Sequence, residues 1–146
     1  MNKTLWIIVA VLAIVAFYGF ATYNSFVSLS EQINGQWAQV ETQYQRRLDL
    51  IPNLVASVQG AMKQEQKVFG DLAEARTRYA GATSINDKAS AATEVEGALS
   101  RLLVVMENYP QLKSSETVQT LMTQLEGTEN RVSVERGRFN DSVRAY

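Results

Sequence analysis

From Thr4 to Thr22 the chain reads TLWIIVAVLAIVAFYGFAT, and no Asp, Glu, Lys or Arg occurs between Lys3 and Glu31. At ~1.5 Å per residue, about 20 apolar residues in a helix cross a hydrocarbon core of ~30 Å, so this run is long enough to span a bilayer. Trp6 near one end and Tyr18 and Tyr23 near the other suit the two headgroup zones. The competing reading is a secretory signal cleaved near Gly19-Phe20-Ala21. The apolar run exceeds the usual ~7–15 residues of such a signal and a single lysine precedes it, so a retained anchor over residues 1–23 is expected. Lys3 and the terminal amine stand before the span, and the twenty residues after it hold Glu31 and Glu41 with no Lys or Arg. That asymmetry favours an N-terminus in the cytoplasm and a domain outside it.

Beyond the span, apolar residues fall at Phe26, Leu29, Ile33, Trp37, Val40, Tyr44 and Leu48, three or four apart, which is one face of a helix. Only Gly35 interrupts it, so one rod is expected to run from the bilayer to about Leu50. Proline inside a helix loses a hydrogen bond and clashes with the preceding turn, at ~3 kcal/mol, yet it is favoured at a first helical position. A tight turn is therefore expected at Leu50-Ile51, with Pro52 opening a second helix that carries Leu54, Val58, Met62, Phe69, Leu72 and Tyr79. Glu65 is the clearest polar intrusion on that seam.

Small and polar residues at 79–84 close the second helix. A third begins near Asp87 to Ser90, carries Val95, Leu99, Leu102, Leu103 and Met106, and ends at Asn108-Tyr109-Pro110, because the residue before proline avoids helical dihedrals. Ser114 or Ser115 caps a fourth, striped by Val118, Leu121, Leu125, Val132, Phe139 and Val143. Strand-like alternation is absent. Each helix is apolar on one face and must bury it against the others, and short connections make neighbours antiparallel. The expected fold is all-α: a transmembrane helix continuing into an antiparallel up-down four-helix bundle of long helices over residues 24–146.

Composition narrows function. The 146 residues hold no Cys and no His, which removes thiolate and imidazole nucleophiles and most zinc sites. Fourteen Lys and Arg against fifteen Asp and Glu leave a net charge of -1, without the basic excess that nucleic-acid binding rests on. No nucleic acid, cofactor, metal or catalytic residue is expected.

Three stretches carry a specific resemblance: WAQVETQYQRRLDLIPNLV (37–55), ENYPQLKS (107–114) and LEGTENRVSVERGRFNDSV (125–143). With the N-terminal span they resemble the LemA family of bacterial membrane-anchored helical proteins. The resemblance implies one transmembrane helix, an all-α domain and no established biochemical activity. Members usually continue past the equivalent of Val143–Tyr146 with a segment containing proline and aromatic residues.

Arg46, Arg47 and Asp49 read as charges complementing helix ends on either side of the Pro52 turn, in preference to a base with an oxyanion clamp. Glu126, Glu129 and Arg131 read as register-fixing charges, with the two glutamates meeting Arg46, Arg47, Arg76 or Arg78 across the bundle. Di-iron bundles need histidines that are absent here. Arg76, Arg78, Arg136, Arg138 and Arg144, with Lys88 in the adjoining loop, gather toward the membrane end, and the arginines are candidates for anionic lipid contact, each at ~1 kcal/mol within a Debye length of the surface. Gly137 lies in the fourth helix at a cost of ~1 kcal/mol. The expected role is a non-enzymatic scaffold of the bacterial envelope, self-assembling, organising or shaping membrane. Its partners are the bilayer, further copies of itself, or another membrane protein. The alternative is an accessory subunit of a membrane enzyme or transporter with a polar site between helices.

Overall fold

The computed structural model describes residues 3–146; the first two residues of the anchor expected over 1–23 lie outside them. The described residues are all-α, with no strand. In chain order the helices are α1 (Lys3–Val58), α2 (Gln66–Gly81), α3 (Ile85–Met106), α4 (Pro110–Lys113) and α5 (Glu116–Ala145).

α1 is one 56-residue helix that runs straight through Pro52, so the turn expected at Leu50-Ile51 is not there. The proline forfeits one bond to the Leu48 carbonyl, but its ring is exposed, while Ile51, Leu54 and Val58 on the inward face are among the deepest residues in the protein. All three are fully buried. At ~1.5–3 kcal/mol for each apolar side chain withdrawn from water, continuing the helix outweighs a proline penalty of ~3 kcal/mol. The chain reverses later, at 59–65, where Gly60 weakens the helix and buried Met62 plugs the end. There the Ala61 and Met62 N–H groups donate to the Val58 carbonyl.

Leu54 and Val58 thus belong to α1, and Glu65 precedes α2 instead of interrupting its seam. It accepts a hydrogen bond from the Tyr109 hydroxyl at 3.1 Å. Burial first, and then this carboxylate, push the Tyr109 hydroxyl above its ordinary range. α3 starts earlier than the Asp87–Ser90 expected, because Ser84 caps it: its hydroxyl oxygen accepts from the Asp87 N–H at 3.0 Å. α4 is a single turn opened by Pro110, and Ser115 caps α5.

α1 packs along α5, and α2 along α3. Trp37 stacks edge-on against Phe139 at 5.4 Å and Phe26 against Tyr146 at 5.7 Å, so α5 descends along α1 in the opposite direction. α2 and α3 also run oppositely, tied by Arg78–Glu94 at 2.9 Å. The two pairs share one core, which includes Val40, Leu48, Leu72, Leu99, Leu102 and Leu125. The Leu5–Val27 part of α1 is exposed apart from half-buried Thr22, with Leu, Ile, Val and Phe side chains facing outward all round. A helix apolar on every side and covered by nothing is built for a non-aqueous surrounding, and α1 is long and apolar enough to cross a membrane.

Candidate functional site

The stripe that makes α1 amphipathic turns Tyr44 and Arg47 inward together, one helical turn apart. Arg47 is a charged side chain only 6% exposed. Its Nη2 donates to Glu129 Oε2 at 3.2 Å, and its Nη1 lies 4.0 Å from Glu96. Tyr44 completes the cluster by donating its hydroxyl to Glu96 at 3.2 Å. One guanidinium therefore ties α1 to both α3 and α5. It faces a cavity of about 380 Å³ between those helices, whose walls also hold Ser133, Arg136 and Asn140.

Next to it stands a second cluster. Tyr79 tilts against Tyr44 with ring centroids 5.9 Å apart, Lys88 lies over the Tyr79 ring, and Lys88 pairs with Glu41. Burial, with Tyr44 adding, pushes the Tyr79 hydroxyl to about 12, and that hydroxyl has no hydrogen-bond partner. Burial also raises Tyr44, with Glu96 adding and Arg136 opposing. A tyrosine acting as a base needs its pKa brought down toward neutrality. Both tyrosines move the other way, so the arrangement suits a fixed polar strut between helices.

The remaining charges separate. Arg46, Asp49 and Arg131 line a shallow groove of about 470 Å³ on the α1–α5 face, floored by Gly127 and Thr128. Since α1 ends at Val58, none of Arg46, Arg47 and Asp49 stands at a helix terminus. Asp49 instead accepts from Gln45 at 2.9 Å. Glu126 is exposed and the cross-helix ion pair falls to Glu129 alone. Arg78 is held by Glu74 at 2.6 Å and Glu94 at 2.9 Å, which raise it further above the arginine range. Arg138 pairs with Glu135 and Arg144 with Asp141. Arg76 is half-buried with its Nε unpartnered, and Arg136 is exposed.

Sequence reasoning overlooked Glu96, read Glu41 only as a charge following the span, placed Lys88 with the membrane-end cations, whereas it pairs with Glu41, and counted Tyr44 and Tyr79 only as apolar. A buried tyrosine wants a partner for its hydroxyl, and that requirement was the available signal. Further out, Leu103, Met106, Leu112, Val118 and Met122 line an apolar groove of about 500 Å³ where α3, α4 and α5 meet.

The LemA family model matches residues 36–146, more than half of the chain. The chain belongs to the LemA family. The LemA match opens one residue before Trp37, the level at which Phe139 of α5 meets α1, and it contains every residue of both polar clusters. Two magnetosome proteins of Paramagnetospirillum magneticum, MamQ 1 and MamQ 2, are each 26% identical to it over 95% of this chain and 61% of their own length. The magnetosome protein MamQ of Magnetospirillum gryphiswaldense is 26% identical over 97% of this chain and 62% of its own. The chain spans about three fifths of the length of the curated relatives it matches.

Proposed function

We propose that this LemA-family protein is a non-enzymatic scaffold of the bacterial envelope, in which residues 4–22 cross the inner membrane and residues 24–146 form an antiparallel bundle held outside the cytoplasm. The observation that carries the reading is α1 itself, one helix whose first half is apolar and uncovered and whose second half is the spine of the core. A rod without a joint passes the domain's orientation to the bilayer, and the bilayer's to the domain. Repeated copies at a fixed angle then organise or shape the membrane. Relatives that are magnetosome proteins support an organelle-membrane setting for such a role.

Of the arginines expected to touch lipid, Arg144 comes nearest the bilayer, and its charge is offset by Asp141. Arg76 and Arg78, on α2 within one turn of Tyr79, lie near the Tyr44–Tyr79 level. At ~1.5 Å per residue this is about 33 Å along α1 from Thr22, well beyond a Debye length of ~10 Å. Arg136 and Arg138, within one turn of Phe139 on α5, are near the Trp37 level, about 22 Å or more away. Arg144 lies between that level and Phe26.

The test is electron cryo-microscopy of vesicles carrying the full chain at rising density. Ordered, regularly spaced densities are the expected outcome; copies that stay dispersed at every density would remove self-assembly from the proposal. The accessory-subunit reading draws on one feature, the Nε and Nη1 of buried Arg47, which lack hydrogen-bond partners beside the α3–α5 cavity. A membrane partner that co-purifies with the native chain and is lost on Arg47→Met would favour it.

A further inference from the structure

α2 and α3 do not accompany α1 down to the bilayer. Their connecting turn, at 82–84, lies beside the Glu41–Tyr44 level, where Lys88 pairs with Glu41 and Tyr79 meets Tyr44. Below it only α5 continues, to Phe139 on Trp37 and finally Tyr146 on Phe26. Phe26 is four residues past Thr22, ~6 Å along the helix, and a headgroup layer extends ~5–7 Å beyond the hydrocarbon on each side. The last turn of α5 is thus brought to the height of the lipid headgroups.

What it presents there is apolar and aromatic. Tyr23, Phe26, Val27, Val143 and Tyr146 are each between 44% and 67% exposed and form a collar continuous with the span. Charge at this end is balanced locally, since Arg144 pairs with Asp141 at 3.3 Å and Arg138 with Glu135 at 2.9 Å. Tyrosine, with an apolar body and a polar tip, suits the boundary between water and acyl chains.

We propose that the C-terminal turn of α5 is a second membrane contact, in which Val143 and Tyr146 rest beside Phe26 in the headgroup layer of the leaflet from which α1 emerges. The proposal rests on the reading of α1 as transmembrane. Two points of contact on adjacent helices fix the domain's rotation about α1, which a single stalk leaves free. Because the contact is apolar, it holds on zwitterionic and anionic lipid alike, unlike an arginine patch.

The chain has no cysteine, so single spin labels can be placed in the otherwise unaltered 146-residue chain. Labels at Ala145→Cys, Val9→Cys in the span and Lys113→Cys at the far end would be compared by power saturation. The relaxants are oxygen, which enters lipid, and a nickel chelate, which stays in water. Vesicles would be phosphatidylcholine alone and phosphatidylcholine with phosphatidylglycerol. The expected oxygen-to-nickel collision ratio at 145 is several-fold above that at 113, equal in both vesicles. It falls to the 113 value when Val143→Ser and Tyr146→Ser are added. A label at 145 as water-exposed as the one at 113 would overturn the contact while the label at 9, reading lipid, leaves α1 transmembrane. If the label at 9 also reads water, the transmembrane reading fails and the contact with it. Low access of both relaxants at 145 would mean that another copy, not lipid, covers the collar, and would likewise overturn it.

Discussion

The Arg47 cluster predicts an asymmetry between removing the cation and removing its anions. Arg47 is 6% exposed, whereas the side chains of Glu129 and Glu96 are 68% and 30% exposed. Glu96→Gln with Glu129→Gln leaves a guanidinium in the core without a counter-charge. Breaking a fully buried pair in this way costs ~3–5 kcal/mol, and solvent on the Glu129 side reduces it to about 2–3 kcal/mol. Arg47→Met removes the buried charge, fills a similar volume, and leaves two carboxylates that already touch water. Its cost should stay within ~1 kcal/mol. Adding Arg47→Met to the double glutamine variant should then restore most of the stability lost. The assay is urea unfolding of the full chain in mild detergent, read by Trp37 fluorescence through its contact with Phe139, with Trp6→Phe silencing the second tryptophan. If Arg47→Met costs more than the paired glutamines, the guanidinium is a net source of stability and the desolvation argument is wrong.

Pro52→Ala should restore a bond to the Leu48 carbonyl and relieve the ring's clash, raising stability by about 1–3 kcal/mol in the same titration; a loss would mean that the proline's geometry is needed. A Cβ at Gly137 would meet no atom within 4 Å, and nothing in the structure requires glycine there, so Gly137→Ala should add about 1 kcal/mol. Tyr79 is raised on folding from 10.0 to about 12, so its contribution is complete below pH ~10 and is lost as pH rises toward 12. The conversion gives at most ~2.7 kcal/mol, and solvent screening at the seam lowers it to about 1–2 kcal/mol. Tyr79→Phe, whose missing hydroxyl has no partner to strand, should abolish that part of the alkaline fall.

Most of the helical content is legible because it is local. The stripe from Phe26 to Leu48, the Ser115 cap and the break before Pro110 are each written within a few neighbouring residues. Pro52 misleads for the same reason: its local cost is plain, while the burial of Ile51, Leu54 and Val58 that outweighs it depends on helices far along the chain. Met62 continues the spacing of Leu54 and Val58 through the reversal at 59–65, so periodicity alone cannot place the turn. The polar clusters are non-local. Arg47 meets Glu129 and Glu96 across 82 and 49 positions, and which glutamate faces it follows from how α5 and α3 sit along α1. The arginines expected near lipid share a direction of travel but not a height. Height follows from the Phe139–Trp37 and Tyr146–Phe26 pairings.

That α1 is an unbroken rod from bilayer to tip can be measured directly, by pulsed electron–electron resonance between labels at Asn24→Cys and Ser57→Cys on the full chain in nanodiscs. Both sites are exposed, and 33 residues of helix at ~1.5 Å each set them about 50 Å apart. A narrow distribution near 50 Å is the result expected. One centred near about 30 Å, the separation a reversal at Pro52 would produce, would contradict the continuous spine on which the scaffold reading stands.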